Sequence, residues 1–223
     1  MPVHLEQYQQ IAAYCKQHNA TLVAVSKTKP EADILALYQA GHRHFGENYV
    51  QEMVAKAGAL PSDIYWHFIG HLQSNKVKYI APFVHLIHGV DSLKLLQEIN
   101  KQAAKANRTI ACLLQVHIAM EETKFGLSAA ELEELLQNPV IAGLTNLTIN
   151  GLMGMASFTN NQDQVQAEFN QLHSLFTHCK GLKLPPNVAL ATLSMGMSAD
   201  YELAIACGSN MVRVGSLLFG SRH

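Results

Sequence analysis

The chain has 223 residues, of which 48% are apolar and 15% charged, and its formal net charge is −1 at pH 7. That length suits one large domain with a full core, and so few charges argue against a disordered or tail-bearing protein. A near-neutral balance without a polybasic run supplies no field for nucleic acid, and no apolar run reaches membrane-spanning length.

Residues 3–18 read as an N-terminal helix with Leu5, Tyr8, Ile11 and Ala12 on one side. The run Thr21 to Val25 is short and apolar, as suits a parallel strand buried on both faces. Polar Ser26 and Lys27 follow it, and then a helix from Glu31 to Tyr38 opened by Pro30 and closed by Gly41. His44-Phe45 gives a very short second strand, with Gly46, Glu47 and Asn48 behind it and a helix to about Lys56. Tyr65 to Ile69 is a third strand, followed by Gly70 and a helix from about Ser74. Val84 to His88 is a fourth, and Asp91 or Ser92 caps a helix bearing Leu93, Leu95, Leu96 and Ile99. Ile110 to Ile118 is a fifth. Ser128 and Glu131 then form a capping box for the helix of Leu132, Leu135 and Leu136. Leu147 to Met153 is a sixth strand before a helix from about Gln162 to Phe176. Val188 to Leu190 is a seventh, with Ser198 capping a helix to about Cys207, and Met211 to Val214 is the eighth.

Strands alternating with helices imply a parallel sheet. Eight repeats predict closure into a single (β/α)8 barrel over residues 1–223, with an open doubly wound sheet as the alternative. Cys15, Cys112, Cys179 and Cys207 form no CxxC pair, so metal clips and redox pairs are not expected. The polar N-terminus is not a signal peptide. These absences predict a cytoplasmic protein with free thiols.

In a barrel, functional groups gather at the C-terminal ends of the strands. Lys27 falls there, in a partly dry mouth that lowers an amine's pKa and favours Schiff-base chemistry; the alternative is a lysine snorkelling at the rim. Gly215 and Ser216 follow strand eight and Ser194 follows strand seven, the loops with which barrels often bind phosphate. Gly215 also suits a simple tight turn. Arg213 shares a face with Gly215. It needs a ligand or a buried partner such as Glu47 or Glu202. A pyridine nitrogen facing it would stay unprotonated, because arginine keeps its proton. His42 and His44 form an HxH, and His67 and His71 an HxxxH across a strand end. Without an accompanying acid, both pairs read as surface or supporting histidines.

Six strings carry a resemblance in order along the chain: residues 22–30 (LVAVSKTKP), 44–49 (HFGENY), 66–76 (WHFIGHLQSNK), 151–155 (GLMGM), 193–198 (LSMGMS) and 212–220 (VRVGSLLFG). The chain resembles the pyridoxal phosphate homeostasis proteins, the family like the alanine racemase N-terminal domain. The resemblance implies a fold-type III barrel that binds pyridoxal 5'-phosphate (PLP), with an extra N-terminal helix and no C-terminal β domain. It implies that Lys27 forms the internal aldimine, that Arg213 lies near the pyridine nitrogen, and that Ser194, Gly215 and Ser216 cradle the phosphate. Asn48 lines the pocket. Ser216 stands where threonine is common, which keeps the hydroxyl. The segment 117–126 departs from the family pattern, and only Lys124 is given a pocket role there. The expected function is PLP and amino-acid homeostasis without turnover, in a monomer, with apo-PLP enzymes as acceptors. A PLP-dependent racemase or lyase and a cofactor-free Schiff-base aldolase are the alternatives. The racemase would need a second acid or base, for which Tyr49 and His71 are the candidates.

Overall fold

Each short apolar run becomes a strand because parallel pairing buries both of its faces. The computed structural model describes residues 3–121 and 125–220. The strands are β1 (Thr21–Val25), β2 (His44–Glu47), β3 (Tyr65–Phe68), β4 (Leu86–Val90), β5 (Ile110–Val116), β6 (Leu147–Gly154), β7 (Val188–Met197) and β8 (Met211–Val214). All eight pair in parallel, and β8 closes on β1 through Thr21–Met211 and Val23–Arg213. The barrel, not the open sheet, is the fold.

The helices are α1 (Leu5–Gln17), α2 (Glu31–Gln39), α3 (Val50–Ala59), α4 (Val77–Ile80), α5 (Leu93–Lys105), α6 (Ala129–Gln137), α7 (Gln162–Lys180), α8 (Tyr201–Ala206) and α9 (Ser216–Phe219). Ser92 caps α5, and Ser128 with Glu131 forms the full capping box of α6. Residues pointing out of the barrel, such as Leu22, Ala24, Phe45 and Trp66, join the large core beneath the helices. A smaller apolar cluster of Val23, Leu86, Leu113, Met153 and Met211 fills the barrel itself. All four cysteines are buried free thiols. No described helix is long and apolar enough to cross a membrane.

Several boundaries differ from the sequence reading. β7 continues past Leu190 to Met197, so Ser194 lies within the strand and not after it. Its continuation passes through a bulge: Ser194 pairs with Met211, but Met197 pairs with Arg213. Gly196 absorbs the extra residue with φ +94°, a conformation other residues avoid. Ser198 does not cap α8, since Asp200 takes that position. The helix expected from Ser74 is a 3-10 turn over Ser74–Lys76 followed by the single turn of α4. β4 starts at Leu86, two residues late. α9 was not expected; it closes the barrel against α1, where the His4 N–H donates to the Leu218 carbonyl over 2.9 Å.

Candidate functional site

The C-terminal ends of the strands open into a cleft of about 1540 Å³. Lys27, Asn48, Arg213, Gly215 and Ser216 all line it, together with apolar Val25, Ile69, Met155 and Met197. Five of the six residues singled out from sequence thus meet in one cavity. The sixth, Ser194, lies beneath it, fully buried inside the barrel. Lys124 lies outside the described residues.

The Lys27 segment is held from both sides. Buried Lys56 donates to the Ser26 carbonyl over 2.8 Å, to Glu47 Oε1 over 2.8 Å and to Glu52 Oε1 over 2.7 Å. The Ser26 hydroxyl donates to Glu47 Oε1 over 2.6 Å, and the Thr28 N–H donates to Glu52 Oε1 over 2.6 Å. Burial pushes the Glu47 carboxyl up, against the pull of Lys56 and Ser26. Thr28 sits at φ +63°, a strained region for a β-branched residue that surrounding contacts must enforce. The neighbouring amine of Lys29 donates to the Phe219 carbonyl over 2.8 Å, at the end of α9. Lys29 therefore ties down the end of α9, and Lys27 lines the cleft.

Arg213 is 4% exposed at the cleft floor. Its Nη1 donates to Ser194 Oγ over 2.6 Å and its Nη2 to the Gly154 carbonyl over 3.0 Å. Neither Glu47 nor Glu202 is its partner, because Glu47 points outward to Lys56 and Glu202 accepts from Tyr201. Burial lowers the Arg213 pKa to about 10, with Asp200 opposing. The guanidinium stays charged at pH 7.

Beside it, the Gly215 N–H donates to Ser198 Oγ over 3.1 Å, and Ser198 lines the cleft as well. Ser198 was read as a helix cap, and its place in the string LSMGMS was the signal for a site role. The first N–H groups of a helix have no partner inside it, and Ser216 and Leu217 bring those of α9 to the cleft wall. This corner offers hydroxyl and N–H donors to an anion. Asn48 adds a buried Oδ1 with no hydrogen-bond partner among the described residues.

A line of polar side chains runs from Arg213 down through the barrel. Ser194 Oγ meets His88 Nδ1 at 3.2 Å, His88 Nε2 meets His67 Nδ1 at 2.9 Å, and His67 Nε2 meets His44 Nδ1 at 2.9 Å. His67 and His88 are fully buried. Burial, first, holds both imidazoles well below the usual range, and it lowers His44 to about 4. His67 is therefore a buried histidine and His44 a half-buried one, both in a supporting role within this line. His71 does lie apart, stacked on Phe125 at 4.4 Å.

Comparison with known proteins decides the family. The model of the alanine racemase N-terminal domain matches residues 5–223. The pyridoxal phosphate homeostasis protein of Haemophilus influenzae is 39% identical over 96% of this chain and 92% of its own length. The chain belongs to the pyridoxal phosphate homeostasis protein family. Among solved structures, PipY of Synechococcus elongatus without PLP superposes with a TM-score of 0.87 at 37% identity, covering 95% of this chain and 99% of PipY. The PLP-bound form of PipY gives 0.83 at 36% identity, over 96% and 100% of the two chains. The barrel of this family is thus the frame that sets Lys27, Asn48, Arg213 and the Gly215 corner around one cleft.

Proposed function

We propose that residues 1–223 form one PLP-binding domain that holds the cofactor through Lys27 and serves intracellular PLP and amino-acid homeostasis. The carrying observation is the cleft in which a lysine amine, a buried guanidinium and a Gly-Ser anion corner meet, in a family whose member PipY is described with PLP bound. The fit is supported by the unpartnered Asn48 Oδ1, which a cofactor hydroxyl would satisfy. PLP supplies an aldehyde that an amine captures and a ring that withdraws electrons. Lys27 provides that amine. Gly215 and Ser216 would hold the phosphate with Ser198, and Ser194 would act through Arg213 from below. Arg213 would serve the ring nitrogen and, keeping its own proton, would leave that nitrogen unprotonated. That would weaken the electron sink and favour holding over turnover. His71 and Tyr49 do not line the cleft, which further favours a holder over a racemase or lyase.

The same reading makes the protein a cytoplasmic monomer that passes PLP to apo-enzymes. Lys27→Ala should purify without the visible absorbance of the wild type. A variant that stays yellow with cofactor bound as before would defeat the assignment. Transfer is tested by mixing the PLP-loaded protein with an apo-PLP enzyme, against free PLP at equal concentration. Faster reconstitution from the loaded protein supports delivery, and equal rates count against it.

A further inference from the structure

The N-terminal end of the barrel, opposite the cleft, carries a second cluster. His44 opens β2, His67 points inward from β3, and His85 immediately precedes β4. One ring nitrogen from each lies within 4.8 Å of the others. The ring centroids are 5.2 Å apart for His44–His67, 5.3 Å for His67–His85 and 5.9 Å for His44–His85. With metal–nitrogen bonds of about 2.0–2.1 Å, tetrahedral coordination puts imidazole centroids about 5.2 Å apart. The observed triangle matches that spacing on two sides and exceeds it slightly on the third.

We propose that His44, His67 and His85 form a three-histidine site for a divalent transition metal of the zinc class, with its fourth position open to water. Imidazole donors without a carboxylate suit zinc, copper, nickel and cobalt over magnesium or calcium. His67 is fully buried, His44 half-buried and His85 exposed, so the cluster is anchored inside and reachable from solvent. The second shell is also in place. Coordination through His67 Nε2 puts its proton on Nδ1, where His88 Nε2 accepts it at 2.9 Å. His88 Nδ1 then donates to Ser194 Oγ at 3.2 Å. An outer partner of this kind fixes tautomer and ring orientation at metal-bound histidines. Tyr65 packs on His44 and His85 with centroids at 4.9 and 4.6 Å, which holds the two outer rings in place. A plain hydrogen bond between His44 and His67 would not require the third ring.

The test is titration of the untagged full chain, cleared of metal by a chelator, with cobalt(II) and then zinc(II). Expected are one equivalent of cobalt bound with the visible spectrum of tetrahedral coordination, and its displacement by zinc. His44→Gln and His85→Ala change partly exposed positions, so the fold survives, and each should weaken binding at least about tenfold. His71→Ala, on a histidine outside the cluster, should leave it unchanged. No uptake by the wild type, a six-coordinate spectrum, or unchanged affinity in either cluster variant overturns the site.

Discussion

Lys56 Nζ lies 2.8 Å from Glu47 Oε1, and both side chains are almost wholly out of solvent, 7% and 0% exposed. Removing the ammonium strands a buried carboxylate, which typically costs about 3–5 kcal/mol. Lys56→Met should therefore lower the Tm by about 6–20 °C, and it should weaken PLP binding because the Ser26 carbonyl loses its tether. Glu47→Gln in the same background should restore part of the loss. A Tm within a degree of wild type would show that the network does not hold the Lys27 segment.

Ser194 is the acceptor for Arg213 Nη1 at 2.6 Å. A hydrogen bond to a charged group contributes about 1.5–3 kcal/mol. Ser194→Ala should lower the Tm by about 3–12 °C and weaken PLP binding through a less constrained guanidinium. Calorimetry with and without PLP separates the two effects. Equal affinity in both proteins would mean that the Gly154 carbonyl suffices to orient Arg213.

Gly196 combines φ +94° with an added Cβ that would come within 2.5 Å of the Ala204 Cβ. Gly196→Ala should cost about 2–4 kcal/mol from backbone strain and overpacking. The shift in urea midpoint measures it. A neutral result would contradict the bulge in β7.

Acid should destabilise the fold. Burial lowers His42 and His44 from 6.5 to about 4. The folded chain thus binds fewer protons at these sites than the unfolded chain between those values, so stability is full above about pH 6.5 and falls as pH drops toward 4. Buried His67 and His88 add to the same trend. Metal-free protein should show a Tm that falls steadily across this window. A flat profile from pH 7 to 4.5 would refute the neutral assignment.

Much of this was legible in the residues themselves. Ser128 and Glu131 announced their capping box, and Lys27, Arg213 and Gly215 announced strand ends. The length of β7 was not legible, because its burial alternates only as far as Ala191 and then runs unbroken from Leu193 to Gly196. Ser194 was set in the cleft for the same reason, one strand end misplaced. The histidine line was invisible for another reason. His44, His67 and His88 lie 23 and 21 residues apart, and only the register of three strands brings their rings together. Glu47 and Lys56 are nine residues apart, but nothing local showed that both turn away from the barrel interior.

The polar line through the barrel can order its hydrogens in two senses. Arg213 only donates, so Ser194 always accepts from it, but the serine's own hydrogen is free to point toward His88 or away. Pointing toward it sets every imidazole donating downward to His44; pointing away reverses His88 and His67. The barrel axis therefore carries a reversible dipole with one end under the cleft and the other at the opposite rim. A cation at the lower rim selects the second sense and leaves the Ser194 hydrogen to the upper side.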